Sequence, residues 1–222
     1  MNALVQAERS PIQNIVQGYQ SFGHKKSFLA GEKSQAKAVQ TCALLDFTNL
    51  ARVGFRGIDS AAYLQRLGFI LPEQPNRSVR QADGSEAVRL SHTEYLLLGS
   101  LTDYGQKITQ IEQMWQLDQQ LNYLLPRQDS HAWLQLTGIY LAPLMAKLCA
   151  VDLSAQAFGH GDVVQSTVAR INAIIINASD CRTNRFHLLC DRTMVLYLWD
   201  VLLDAMQEFA GEVVGIEAIR SN

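Results

Sequence analysis

The chain has 222 residues, 48% of them hydrophobic and 18% charged, with a formal net charge of −2. This is the balance of a globular protein able to bury one large or two small cores, and it excludes disordered and fibrous classes. Near-neutral charge without a concentrated basic stripe also argues against a nucleic-acid partner. Residues 1–10, MNALVQAERS, put Glu8 and Arg9 where a secretory signal needs its apolar segment. No run approaches the ~20 apolar residues of a membrane span, so no membrane partner and a cytoplasmic location are expected. Cys42, Cys149, Cys181 and Cys190 stand far apart in no paired spacing, as in a reduced intracellular chain that uses cysteine as a small core residue.

In chain order, residues 1–40 differ from the rest, with Gly18, Gly23 and Gly31, the acids Glu8 and Glu32, and the bases Arg9, Lys25, Lys26, Lys33 and Lys37. Ile12, Ile15, Val16, Tyr19 and Phe22 follow helical spacing behind Ser10 and Pro11, an N-cap and first position. The segment reads either as a helix and loop packed on the chain's own body or as an arm that orders against another subunit. Cys42 to Thr48 is a buried strand. Pro72 to Ser85 is a loop with a turn at Ala82-Asp83-Gly84, and Ala87 to Leu90 and Tyr95 to Leu98 are strands around Ser91-His92-Thr93-Glu94. Ser100 to Leu121 has the period of an amphipathic helix, capped by Thr102 or Asp103. Farther on, Gln165 to Ala173, Ala173 to Asn177 and Arg185 to Cys190 read as strands. Asp191 caps an apolar helix through Phe209 that Gly211 ends, and Val213 to Ile216 could close the sheet.

One stretch is used twice. Val53 to Leu71 shifted by eighty-one residues lies on Leu134 to Asp152 without a gap, matching Gly57 to Gly138, Ile58 to Ile139, Ala61 to Ala142 and Leu67 to Leu148. Each copy opens with apolar residues at alternate positions, breaks at a glycine, then changes to a spacing of three and four. The unit is strand, glycine turn, helix, with Asp59 and Ser60 available to cap the first helix. Tyr123-Leu-Leu matches Cys42 to Leu44 at the same offset. The expected architecture is α+β: an arm over 1–40, a first half over 41–122 and a second over 123–222, each reading strand, strand, helix, a pair of strands, helix.

Residue chemistry provides no catalytic, cofactor or metal site. The glycine at each repeat turn is alone, so the G-x-G-x-x-G that seats a dinucleotide is missing, as is a phosphate-cradling G-x-x-x-x-G-K-[ST]. His187 and Cys190 are three apart in a strand and face opposite sides, which breaks up the zinc-like set with Cys181. Phe158-Gly-His160-Gly-Asp162 sets a histidine beside an acid, but it and Ser91-His92-Thr93-Glu94 are better read as turns. Asp46 and Asp152 sit at element ends, where acids cap and solubilise. Trp115, Trp133 and Trp199, with Met114, Met194 and Met206, read as core, with some available to a subunit interface.

Several ordered motifs resemble the γ subunit of heterotetrameric sarcosine oxidase. They are Leu136-Thr-Gly138, Cys149-Ala-Val-Asp152-Leu153, Phe158-Gly-His-Gly161, Thr167, Phe186-His-Leu-Leu and Leu198-Trp199 through Glu208-Phe209. In the first half Leu45-Asp46, the Gly57 turn and Leu90 to Leu98 are similar too. The resemblance implies the fold of folate-binding aminomethyltransferases, two ferredoxin-like halves packed together. It also implies a non-catalytic subunit of a complex that demethylates N-methyl amino acids and passes a one-carbon unit to tetrahydrofolate. FAD, FMN, NAD and tetrahydrofolate would be held by the larger flavoprotein and folate-binding partner subunits, none by this chain. Arg56-Gly57-Ile58-Asp59, where the family reads Gly-Pro, and Gly138-Ile139 depart from the pattern, and a subunit of N-methylglutamate dehydrogenase fits the same residues. A stand-alone folate-binding one-carbon transferase, without the Lys-Gly-Cys-Tyr motif of the iron–sulfur-linked folate proteins, and a homo-oligomeric module are the other readings.

Overall fold

A computed structural model of the chain describes residues 9–23 and 26–220; Glu8 and Lys25 of the N-terminal reading lie outside them. Ser10 caps a single 3-10 turn, Pro11–Asn14, accepting from the Ile12 N–H. The helix expected to continue to Phe22 is replaced by a hairpin of β1 (Tyr19–Phe22) and β2 (Lys26–Leu29). Gly18, at φ 97°, breaks the helical spacing, and its carbonyl accepts from the Ala30 N–H. The segment packs on the chain's own body. Ile12 and Phe28 are fully buried, the Ser10 N–H donates to Asn49 Oδ1 at 2.7 Å, and the Tyr19 hydroxyl donates to Asp46 Oδ2 at 2.5 Å.

After α1 (Ala36–Thr41) come β3 (Ala43–Asp46), β4 (Arg52–Arg56), α2 (Ser60–Arg66), β5 (Arg77–Arg80), β6 (Glu86–Arg89), β7 (Glu94–Leu98), α3 (Gln106–Met114) and β8 (Tyr123–Pro126). The second run is β9 (His131–Thr137), α4 (Leu141–Met145), β10 (Val163–Val168), β11 (Ile171–Asn177), β12 (Arg185–Asp191), α5 (Val195–Met206), β13 (Glu212–Val213) and α6 (Ile216–Arg220). The α+β fold is as expected. Three elements differ from the sequence reading. Arg77–Arg80, read as loop for its polar flanks, is a strand paired with Glu86–Arg89, so three strands and not two lie between the helices of that half. The helix drawn to Leu121 ends at Met114, because Trp115 turns extended and Asp118 Oδ1 takes the Gln120 N–H in a local turn. Gly211 is preceded by the residue that stops the α5 segment: Ala210 adopts the left-handed conformation, at φ 48°.

The first sheet runs β5-β6-β7-β4-β8 and the second β10-β11-β12-β9-β3-β13. The first is a contiguous ferredoxin-like unit. In the second the place next to β9 is taken by β3, which precedes the whole first sheet in the chain. The two copies of the repeat therefore exchange their leading strands, β3 pairing with β9 and β8 with β4. The two repeat glycines make that exchange possible. Gly57 has φ 148° and Gly138 φ 116°, and a Cβ on them would strike the carbonyls of Leu121 and Thr41, the residues leading into the exchanged strands. The crossing chain is bonded at both turns. Asp59, expected to cap α2, instead accepts from the Leu121 N–H through Oδ2 at 2.7 Å, while the Tyr140 N–H donates to Thr41 O at 3.2 Å.

The sheets stack face to face between two layers of helices. Strand alternation assigns the layers. Val53 and Phe55 of β4 and Tyr95 and Leu97 of β7 face α2 and α3. Leu134 and Leu136 of β9 and Leu188 and Cys190 of β12 face α4 and α5. Val88, Leu96, Leu98, Trp133, Ile176 and Leu189 fill the layer between the sheets. At about 1.5–3 kcal/mol for each large apolar side chain buried, these layers are the main favourable term. Among the described residues no helix is long and apolar enough to cross a membrane.

Candidate functional site

The intersheet layer is not wholly apolar. The alternation that buries Trp133 on β9 also turns Gln135 and Thr137 inward, that of β12 turns Arg185 and His187 the same way, and Glu86 of β6 faces them from the other sheet. A cavity of about 200 Å³ opens there, walled by Phe47, Leu98 and Trp133, with Arg80 and Arg220 among its lining residues. Ile219 of α6 separates it from a second hollow of about 360 Å³ lined by Arg80, Thr137, Asp180 and Arg185.

Trp133 orients the histidine. Its Nε1–H donates to His187 Nδ1 at 3.0 Å, so in the neutral ring the proton sits on Nε2, which faces Glu86 Oε1 at 3.8 Å. Trp133 and His187 meet edge to face at 5.1 Å, and Phe47 meets Trp133 likewise at 5.4 Å. Burial opposes ionisation of Glu86, but His187 and the charges of Arg80 and Arg185 outweigh it and hold the carboxyl below the usual range. Asp180 contacts Arg185 at 3.3 Å and Arg80 at 3.8 Å. Among the described residues three buried side-chain atoms have no partner: Glu86 Oε2 and Thr137 Oγ1 here, and Arg52 Nε on β4. An unmet buried acceptor costs about 1–3 kcal/mol, more when charged, which marks this polar island as the candidate site.

The residues weighed in the sequence lie elsewhere, His187 and Trp133 excepted. Cys190 packs against α5 on the opposite face of β12 from His187, which separates the zinc-like set. His160 is exposed, and Asp162 turns away from it, accepting from the Gly159 N–H at 2.6 Å and pairing with Arg77. Glu94 takes Arg127 at 2.7 Å, so the Ser91 to Glu94 segment is a hairpin turn with a structural acid. Asp46 Oδ1 accepts from the Thr48 N–H and Oδ2 from Tyr19, while exposed Asp152 takes the Ser154 N–H. Trp199 and Met206 are core; Met114 and Met194 are exposed. Glu86 and Arg52 escaped the sequence reading. Arg52 had one signal, a charge between Ala51 and Val53 in an apolar run; Glu86, directly after the turn Asp83-Gly84-Ser85, had none.

The repeat-turn glycines serve the strand exchange, not a phosphate cradle. The cavity of about 200 Å³ is below the ~300–1,000 Å³ of pockets that take drug-sized ligands, and the hollow beside it, about 360 Å³, is within that range.

Two stacked ferredoxin-like halves define the class of fold, that of the folate-binding aminomethyltransferases. Aminomethyltransferase T of the glycine cleavage system from Bartonella henselae superposes with a TM-score of 0.66 at 11% identity, over 93% of this chain but 58% of that one. A more particular likeness is to sarcosine oxidase. Its subunit gamma from Corynebacterium sp. (strain P-1) is 24% identical over 190 residues, 84% of this chain and 90% of that protein. A chain of the heterotetrameric enzyme from Corynebacterium sp. U-96, solved in complex with pyrrole 2-carboxylate, has a TM-score of 0.63 at 19% identity, covering 80% of this chain and 92% of that one. No protein-family model matches. The resemblance drawn from the Gly57 and Gly138 turns and the Leu198 to Phe209 stretch is thus found again by comparison along the chain.

Proposed function

We propose that this chain is the gamma-type accessory subunit of a flavin-dependent sarcosine oxidase complex, without an active site of its own. The carrying observation is the sequence match over 84% of this chain to a sarcosine oxidase subunit gamma, 90% of which it covers, against 58% of an aminomethyltransferase. The larger partners hold FAD, FMN, NAD and tetrahydrofolate, and the complex demethylates an N-methyl amino acid and hands the one-carbon unit to folate. The chain's contribution is to keep those subunits in register, so that the reactive one-carbon product meets folate before water.

The test is retrieval of the tagged chain from its own cells with a visible spectrum of what accompanies it. Flavin absorbance with larger polypeptides and sarcosine turnover are expected. A colourless chain recovered alone, saturating with tetrahydrofolate at micromolar concentration in a calorimeter, would instead make it a stand-alone folate-binding transferase.

A further inference from the structure

The intersheet cavity is lined by a buried acid that makes no hydrogen bond within 3.5 Å. Glu86 is 6% exposed, its Oε1 faces His187 Nε2 at 3.8 Å, and its Oε2 is buried without a partner. Of the neighbouring donors, Trp133 Nε1–H is taken by His187 at 3.0 Å and Arg185 Nη2 faces Asp180 at 3.3 Å. A buried, ionised carboxylate oxygen left in that condition calls for a donor from outside the chain.

Two further features bound what that donor belongs to. The cavity volume of about 200 Å³ equals the liquid share of roughly six or seven waters, which suits a solute of few heavy atoms. Arg80 and Arg220, both with half-exposed side chains, belong to the same lining, as do the Ser100 and Thr102 hydroxyls, so an anionic group is favoured at the open side. Phe47, Leu98 and Trp133 wall the space with apolar surface. One pole therefore requires an N–H donor, the other an anion, and the span between them is short.

We infer that this cavity binds a small zwitterionic amine of amino-acid size, its ammonium donating to the Glu86 carboxylate and its carboxylate facing Arg80 and Arg220. The inference stands on the cavity alone and holds whether or not the chain sits in an oxidase. It assigns the chain a ligand-sensing site and no chemistry.

The experiment is calorimetric titration of the full chain with glycine, N-methylglycine, N,N,N-trimethylglycine, methylamine and acetate. Glycine or N-methylglycine should saturate. The trimethyl compound, which has the same charges but no N–H, should bind at least tenfold more weakly, and methylamine and acetate, each lacking one pole, should do the same. Glu86→Gln should weaken the zwitterion at least tenfold. If that variant does not fold, the Arg80→Gln/Arg220→Gln pair, at half-exposed positions, takes its place with the same expected loss. No saturation into tens of millimolar would overturn the inference and leave ordered water as the partner of Glu86. Equal binding of the trimethyl compound, or binding indifferent to the variants, would overturn it too.

Discussion

Replacing Arg52 with methionine tests how the exchanged strands are held. Arg52 is fully buried at the start of β4, and its guanidinium donates only to main-chain carbonyls. Nη1 reaches Thr48 O and Leu50 O, each at 2.9 Å, in the connection between β3 and β4; Nη2 reaches Gln128 O at 3.0 Å in the connection between β8 and β9, and His131 O at the first residue of β9. One side chain thus ties together the two connections that follow the exchanged strands. Burial lowers its pKa to about 9, which still leaves it charged at neutral pH. In Arg52→Met, Thr48 O keeps a bond from Gln128 Nε2 at 3.1 Å and Gln128 O one from Arg192 Nη1 at 3.3 Å, but Leu50 O and His131 O lose this donor. At about 1–3 kcal/mol for each of these two acceptors, less the relief of no longer burying a cation and its unpartnered Nε–H, the net loss is about 2–4 kcal/mol. That is a large part of the 5–15 kcal/mol usual for a domain. Urea unfolding followed by circular dichroism at pH 7 measures it. A loss below about 1 kcal/mol would refute the reasoning, because relief of the buried charge would then match the hydrogen bonds.

Three further outcomes follow from the same geometry. Gly138→Ala puts a Cβ into the Thr41 carbonyl at φ 116°, and should cost about 3 kcal/mol or more in the unfolding midpoint or abolish soluble expression, whereas Gly68→Ala, whose Cβ would meet no atom within 4 Å, should cost far less. Burial, with Arg127 and Arg52 nearby, lowers His131 from 6.5 to about 4. The unfolded chain takes the proton first as pH falls, so the contribution is full above about pH 6.5 and is lost on going down to about pH 4; allowing for partial exposure, it amounts to about 1–2 kcal/mol. Denaturation at pH 7 and pH 4.5 should show that loss, and His131→Gln should remove it. Tyr19→Phe deletes the donor to buried Asp46 and should lower protection in hydrogen exchange by about 1–2 kcal/mol over residues 10–30, with little change in the helices packed on the far sheet faces.

The repeat was legible because both features that define it are local: alternation ending in glycine, and a change of period after it. Gly57 and Gly138 announced turns, and the exchange of β3 and β8 did not follow from them, since pairing partners some eighty residues apart leave no mark in a single copy. β5 was hidden by its surroundings. Arg77-Ser-Val-Arg has one apolar residue and polar flanks, and pairing with β6 stabilises what composition would make loop. The helix drawn to Leu121 was too long because Leu117 and Leu121 keep the helical spacing, yet both are exposed and that segment is drawn out to cross the Gly57 turn. The candidate site was the least legible part. Glu86, Trp133 and His187 come from three strands and two sheets, and only the stacking of those sheets brings them together.

Strand exchange also sets the order of events as the chain is made. β3 leaves the ribosome early, and its partner β9 follows roughly 85 residues later, a delay on the order of 4–17 s at 5–20 residues per second. The whole first sheet can close in that interval, since β4 to β8 form an unbroken run. Through it, the apolar Ala43–Leu45 stretch waits without its neighbour, an unpaired edge exposed to other nascent chains. Synthesis slowed between β8 and β9 would lengthen that exposure, and synthesis of a partner subunit close by would shorten its danger.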